Sequence, residues 1–324
     1  MTFRSALPRL GALVATAAFA ASTAFAAGFP DKPVRLIVPF SPGGGTDTVA
    51  RTLAVGMSKD LGQTVIVENK PGAGTIIGDD YVAKSAPDGY TLVVATFAHA
   101  VNPSLQPHMP FDTDKAFAPV MLLARGPNVL VVRADSPYKS VQDVISAAHA
   151  HPGKLTFASQ GNGTSAHLAG EMFQNLAKVK MTHVPYKGAG PAMTDLMSGQ
   201  VNMMFATAAA ATPMVASGKL RALSVTTPKR SAAMQDVPAI AETVAGYAVE
   251  SWYGLFAPAG TPAPVIARLN AAAREGTQTP EFRRKIEPEG LAISAGPPEE
   301  LDTFVRAEEA RWGKVVRENN LKID

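Results

Sequence analysis

Three glycine-rich stretches carry the densest chemical signal in this chain. The first, Pro39-Phe40-Ser41-Pro42-Gly43-Gly44-Gly45-Thr46-Asp47, lies between a strand-like run and a helix-like one. Glycines there permit positive φ and let backbone N–H groups approach a ligand closely. The helix that follows offers free N–H groups and a dipole that favour an anion. No Gly-Lys-Ser/Thr follows and G-x-G-x-x-G is absent, so the stretch is neither a P-loop nor a dinucleotide fingerprint. The second, Ser159-Gln160-Gly161-Asn162-Gly163-Thr164-Ser165, precedes a helix carrying His167 and Leu168. The third, Pro71-Gly72-Ala73-Gly74-Thr75, opens a helix at Ile76. Any one of them reads as a plain strand-to-helix turn. Three at such joins suggest backbone donors converging on a carboxylate or similar anion.

Groups for bond-breaking chemistry are harder to assemble. The histidines are His99, His108, His149, His151, His167 and His183, and none belongs to an H-E-x-x-H motif. His149 and His151 have no nearby carboxylate to complete a metal site and read as a solvated helix end. His183 sits in a strand-like run and reads as structural, whereas His99 follows a strand end, where loops carry function. Gly-x-Ser-x-Gly, Ser-x-x-Lys and kinase signatures are missing. Ser159 lies on a glycine-rich loop, but spacing shows no histidine–carboxylate pair to activate it. Glu299, Glu300, Glu308 and Glu309 alternate with Arg306, Arg311, Lys314 and Arg317 as on a solvated helix face. Binding without catalysis, metal or cofactor is the reading these residues favour; an exported hydrolase using Ser159 is the alternative.

Composition narrows the field further. Of 324 residues, 46% are apolar and 18% charged, enough for a sizeable core and more than one domain. The formal net charge of +3 falls to about +1 without Arg4 and Arg9, so nucleic acid is not an expected partner. There are no cysteines, which excludes disulfide scaffolds, thiol catalysis and thiolate-bound metals. Residues 1–26 combine those two arginines, an apolar alanine-rich run and Ala24-Phe25-Ala26, the pattern of a cleaved secretory signal. The run is short for a membrane span, and no later stretch of about 18 uncharged apolar residues appears. The expected location is the periplasm, without direct membrane insertion.

Short β-rich runs alternate with longer amphipathic ones, which argues for α/β units with mainly parallel sheets and flanking helices. Strands are expected at 34–38, 64–68, 91–95, 129–132, 155–158, 182–185, 201–205, 220–225 and 252–257. Helices are expected at 48–59, 76–84, 141–149, 166–176, 192–197, 265–275 and 298–319. Ser140, Thr75 and Pro264 mark helix starts. Crossings near 125–127 and 246–251 divide the chain into a first lobe, 27–126 with 250–324, and a second, 127–249. A cleft between lobes is where a small ligand binds.

Taken together these motifs, with Val67-Glu68-Asn69-Lys70-Pro71-Gly72-Ala73-Gly74, Ala86-Pro87-Asp88-Gly89-Tyr90-Thr91-Leu92 and Val184-Pro185-Tyr186-Lys187-Gly188, resemble the Bug family. So do Ser198-Gly199-Gln200-Val201 and Trp252-Tyr253-Gly254-Leu255-Phe256-Ala257-Pro258. Members of that family are extracytoplasmic solute-binding proteins related to tripartite tricarboxylate transporters. The resemblance implies a two-lobed type II periplasmic-binding fold that closes on a small carboxylate. It implies ligand contacts from Phe40, Gly44, Gly45, Thr46, Asp47, Thr96 and His99 in one lobe. Ser159, Gly163, Thr164 and Ala206 would supply them in the other. Ala206 stands where many relatives have aspartate, and Phe97-Ala98 replace small polar residues. An amino-acid ligand needs a partner for its ammonium, so the expected ligand is a mono- or dicarboxylate with an apolar or aromatic body and no amino group. Its expected partners are membrane permease subunits or a sensor kinase.

Overall fold

The computed structural model describes residues 28–106, 108–318 and 321; the signal segment read at 1–26 lies outside them. β1 (Val34–Val38), β2 (Val65–Asn69) and β3 (Thr91–Thr96) form a parallel wing in the order β2-β1-β3. β5 (Thr156–Ser159), β6 (Thr182–Pro185) and β7 (Met203–Thr207) form a second parallel wing in the order β6-β5-β7. β4 (Phe117–Arg133) and β9 (Glu250–Pro258) stand between them, antiparallel to each other and to the adjoining wing strands β7 and β3. β8 (Leu220–Val225) and the two-residue β10 (Ala292–Ile293) also pair with β4.

The α/β class expected from the sequence is therefore present, with parallel pairing confined to the wings. The centre is antiparallel because the chain leaves one half of the sheet along β4 and re-enters it along β9 in the opposite direction. Residues 125–127 do not interrupt β4: Arg125, Gly126 and Pro127 pair with Trp252, Ser251 and Glu250. One strand of 17 residues thus runs through the expected crossing and takes in the strand expected at 129–132. Its first part pairs with β9 through two register shifts, at Pro119–Met121 and Leu122–Ala124, and from Asn128 onward it pairs with β7.

Eleven helices among the described residues complete the fold. They are α1 (Gly45–Leu61), α2 (Ile76–Ala83), α3 (Phe97–Leu105), α4 (Thr113–Ala116), α5 (Val141–Ala150) and α6 (Ser165–Ala177), then α7 (Ala189–Ser198), α8 (Ala208–Ala216), α9 (Ala263–Gln278), α10 (Pro280–Ile286) and α11 (Pro298–Glu318). α1 begins three residues before the expected start, since Gly44 takes the extended N-cap conformation (φ −92°, ψ 175°). The segment after β3, expected as a loop, is α3, and the alanine cluster after β7 starts α8. Ser140 caps α5 as expected, accepting from the Asp143 N–H. Thr75 does not cap α2: it sits at φ +85° and donates its hydroxyl to Asp79.

α1 and α9 cover one face of the first wing through Leu53, Met57, Leu269 and Ala273. Where they cross, Gly56 and Gly276 touch backbone to backbone; a Cβ on Gly56 would lie 2.5 Å from Gly276 Cα. α7 and α8 cover the second wing with Leu196 and Ala211 against Val131 and Met204. The opposite face carries a single apolar cluster through both halves, including Phe97, Trp312, Trp252, Tyr247, Phe173 and Phe205. Each such side chain contributes about 1.5–3 kcal/mol on burial, so this cluster holds the two wings to one frame.

The two wings aim their carboxyl ends at one level of β4. Thr96, at the end of β3, lies opposite Tyr253, which in turn pairs with Ala124. Thr207, at the end of β7, pairs with Asn128. Six loops, three from each wing, therefore meet near residues 124–128.

Candidate ligand-binding cleft

Loops at the carboxyl ends of parallel strands are the usual ligand site of open α/β sheets. Here two sets of them face each other at van der Waals range. The Ser41 N–H donates to Lys187 O at 2.9 Å, joining the loop after β1 to the loop after β6. A Cβ on Gly44 would meet Ala189 Cβ at 3.3 Å, and one on Gly45 would meet Ala209 Cβ, Thr207 Oγ1 and Tyr253 Oη within 2.9 Å. A Cβ on Gly74 would lie 2.4 Å from Asn162 O. These glycines are therefore required by close approach of the two halves, and the described conformation is a closed one.

Four helices start at this seam: α1 after Gly44, α3 after Thr96, α7 after Gly188 and α8 after Thr207. None has a side-chain hydrogen bond capping its N-terminus. Each first turn ordinarily exposes N–H groups and about half a positive charge. Two come from each half of the sheet, so a guest between them is surrounded by positive helix ends. Such an arrangement can hold an anion reversibly, with backbone donors in place of a cation.

Asp47 ties the first loop in place. Its Oδ2 accepts from the Gly43 N–H (3.1 Å) and from Arg51 Nε (3.0 Å), and its Oδ1 accepts from Asn69 Nδ2 (2.9 Å). Burial pushes this carboxyl up, but the hydrogen bonds from Arg51, Asn69 and Gly43 outweigh it and hold it below its usual range. Asn69 also donates to Phe40 O at 3.0 Å. The carboxylate thus organises the loop and keeps its negative charge engaged with Arg51.

The loop after β5 is organised from within. Ser159 Oγ accepts from the Gly161 N–H (3.1 Å) and lies 2.7 Å from His183 Nε2. The Gly163 N–H donates to His167 Nδ1 (3.2 Å), and Thr164 Oγ1 donates to Gly161 O (2.6 Å). His183 is stacked between Phe157 and His167, with ring centroids 4.9 and 4.2 Å away. Burial lowers His167 to about 4; burial, with His167 alongside, lowers His183 to about 3. Both imidazoles are neutral at pH 7. The Ser159–His183 contact has the length of a nucleophile–base pair, but the serine is fully buried and its oxygen is held by the loop's own backbone.

The structure brings Gly44, Gly45 and the first turn of α1, including Thr46, to the seam, and places Thr96 at the end of β3 beside it. It puts Gly163 at the seam too, with a would-be Cβ 2.4 Å from Asn102 Oδ1, while Ser159 and Thr164 shape its loop. The side chains of three further expected residues pack into the core. The Phe40 ring lies in the core under α1. The His99 ring is stacked on Phe256 at 4.7 Å, with Phe117 edge-on at 5.0 Å. Ala206 lies in the apolar layer with Val129, Met204 and Ala208. Strand alternation explains Ala206: its neighbour Thr207 points the other way and carries the oxygen that meets Gly45. Phe97 likewise turns into the core, edge-on to Trp312 at 4.7 Å. Sequence reasoning missed Thr207, Ala189, Ala209 and Asn102. Thr207 and Ala209 flank a helix start that an alanine-rich run conceals, Ala189 opens a helix expected to begin at 192, and Asn102 lies in a helix read as loop.

The model of the tripartite tricarboxylate transporter family receptor matches residues 49–321. This chain belongs to that family. It is 33% identical to the periplasmic binding protein BugD, with a TM-score of 0.86 over 91% of this chain and 99% of that one. MatC from Rhodopseudomonas palustris, solved with malate, is 36% identical, with a TM-score of 0.85 over 89% of this chain and 100% of that one. A second R. palustris protein, solved with adipate, is 36% identical, with a TM-score of 0.87 over 91% and 99%. The chain accordingly has the two-lobed fold of periplasmic binding proteins. Members of this receptor family are binding proteins and not enzymes, which removes Ser159 as a hydrolase nucleophile. Among the described residues, no helix is long and apolar enough to cross a membrane, and no three His, Asp or Glu side chains are grouped to hold a metal.

Proposed function

We propose that this receptor captures a small organic carboxylate between two lobes, residues 27–126 with 250–324 and residues 127–249. The observation that carries this reading is the meeting of four helix starts without side-chain caps, two from each half, at one seam. The malate and adipate held by the two R. palustris relatives support the ligand class. Export by cleavage after residue 26, and delivery of the ligand to membrane permease subunits or a sensor kinase, complete the proposal.

The guest we favour is a mono- or dicarboxylate with an apolar or aromatic body and no amino group. Among the six loops and the first turns of the helices they lead into, the acidic side chains are Asp47, which Arg51 and Asn69 already engage, and Asp79, which accepts from Thr75. A buried ammonium would have no carboxylate to meet, which is costly. Ala189 and Ala209 supply apolar wall at Gly44 and Gly45. Phe97 does not, since its ring faces Trp312. A thermal-shift panel of malate, adipate, benzoate and several amino acids tests the reading. The organic acids are expected to raise the melting temperature; tight binding of an amino acid with no response to any organic acid overturns it.

A further inference from the structure

The loop after β2 is held in an unusual conformation. Gly72, Ala73, Gly74 and Thr75 lie at φ +135°, +47°, +60° and +85° in succession. A β-branched residue in the left-handed region is an outlier that surrounding structure must enforce. Asn102, on α3 and 1% exposed, does the enforcing. Its Nδ2 donates to Gly74 O at 2.9 Å and reaches Thr75 Oγ1 at 3.4 Å. Thr75 in turn donates to the buried Asp79 Oδ2 at 2.9 Å. The far side of Asn102 faces the other lobe: Oδ1 has no hydrogen-bond partner among the described residues and sits where a Cβ on Gly163 would be. The loop it holds touches the same place, Gly74 against Asn162 O.

We propose that Asn102 is a positioning residue for ligand capture. It fixes the 71–75 loop in the one shape that lets Gly74 and Gly163 meet their opposite lobes, and so sets the population of the closed state. It does this without being a ligand contact. This rests on the carboxylate-capture reading only for the choice of probe. Backbone strain stored at 71–75 is released if the amide donor is lost, and the relaxed loop then obstructs Asn162. Closing should become less favourable and opening faster, with little change in the stability of the separate lobes.

The natural chain has no cysteine, so exposed Val55 and Gln200, one on each lobe, can be changed to cysteine and spin-labelled cleanly. Distances between them report closure with and without malate or adipate, and stopped-flow release reports opening. Asn102→Ala is expected to shift the distances toward the open form and to speed release at least tenfold. Asn102→Leu keeps the volume and removes the donor to Gly74 O without adding a charge, so it should behave like Asn102→Ala. If the residue merely fills space, Asn102→Leu will match wild type in distances and release, which overturns the proposal. Should Asn102→Ala fail to fold, the Leu variant alone decides. Wild-type protein that ignores both acids refutes carboxylate capture, while the ligand-free distance distributions still test Asn102.

Discussion

Gly44→Val separates closure from folding more sharply than any other single change in the cleft. Gly44 has φ −92° and ψ 175°, a conformation open to any residue, so the backbone is not strained. Replacing glycine at an N-cap by a branched apolar residue costs about 0.5–1 kcal/mol. Restricting the unfolded chain returns about 0.4–1 kcal/mol, and the unliganded protein should melt where wild type does. In the closed form the new Cβ stands 3.3 Å from Ala189 Cβ and 3.6 Å from its backbone nitrogen. The Cγ methyls extend about 1.5 Å further, into atoms that belong to the other lobe. Overpacking of this kind costs about 1–3 kcal/mol, which is about a 5- to 150-fold loss of affinity. Wild type at 100 Kd gains about 2.7 kcal/mol from ligand, and a 100-fold weaker variant gains about 0.4. At about 2 °C per kcal/mol for a chain of this size, the ligand shift falls from about 5 °C to below 1 °C. The assay is a melting curve with malate or adipate at a concentration that saturates wild type, with Gly44→Ala as an intermediate step. A Gly44→Val protein with the full ligand shift, or one that no longer melts cooperatively without ligand, refutes the reasoning.

Other perturbations test separate parts of the cleft. Thr207 Oγ1 is buried with no hydrogen-bond partner among the described residues, so Thr207→Val should leave unliganded stability unchanged or raised. If that hydroxyl meets the bound carboxylate, affinity by calorimetry drops about 10- to 100-fold; wild-type affinity places the oxygen outside the site. Asn69→Ala strips donors from Asp47 Oδ1 and Phe40 O and should cost about 1–3 kcal/mol in urea unfolding, with weaker ligand binding as the loop loosens. Burial raises the Asp79 carboxyl from its ordinary value of 3.8 to about 7. The native state therefore binds the extra proton between about pH 4 and 7, and this group's contribution falls as pH rises through that window, by about 4 kcal/mol in all. Asp79→Asn removes this titration, so its stability advantage over wild type should grow from pH 5 to 7 and then level off; an advantage independent of pH would contradict the assignment. His99 and His167, lowered by burial to about 4, act in the opposite sense. Unfolded histidines take up protons below about 6.5, so stability from these two groups is present above that pH and is lost toward 4. His167→Gln should flatten the acid limb of the stability–pH curve.

Much of this architecture was legible because it is local. Strands 34–38, 182–185 and 220–225 were read to the residue, since short β-branched runs between turn residues admit few alternatives. The glycine loops were legible for a similar reason: a run such as Gly43-Gly44-Gly45 before a helix has few purposes other than close approach. α3 was not legible because it contains Pro103 and begins directly from a strand with no capping side chain. The same missing cap that concealed its start is part of what makes the site. α8 was hidden by its near-uniform alanine, which has no periodicity to read.

Where side chains point was decided at a longer range. His99, Phe97 and Ala206 sit next to cleft residues in the chain, yet each turns into a core that distant residues create. Phe256 and Phe117 hold His99, Trp312 holds Phe97, and Val129 lies beside Ala206 on the paired strand. Thr207, and not its neighbour Ala206, meets the Gly45 loop, through the alternation of one strand that pairs Thr207 with Asn128.

The amino-acid sequence by itself determined the family, the alternation of strands and helices, and the glycine loops that let two backbones meet. Those follow from patterns spanning a few residues. Only the tertiary structure decided that both wings end at one level of β4 and that four helix starts face one seam. It also decided which side chains line that seam. The physical reason is that helix dipoles and close contacts act through space between segments more than a hundred residues apart, such as Gly45 and Thr207.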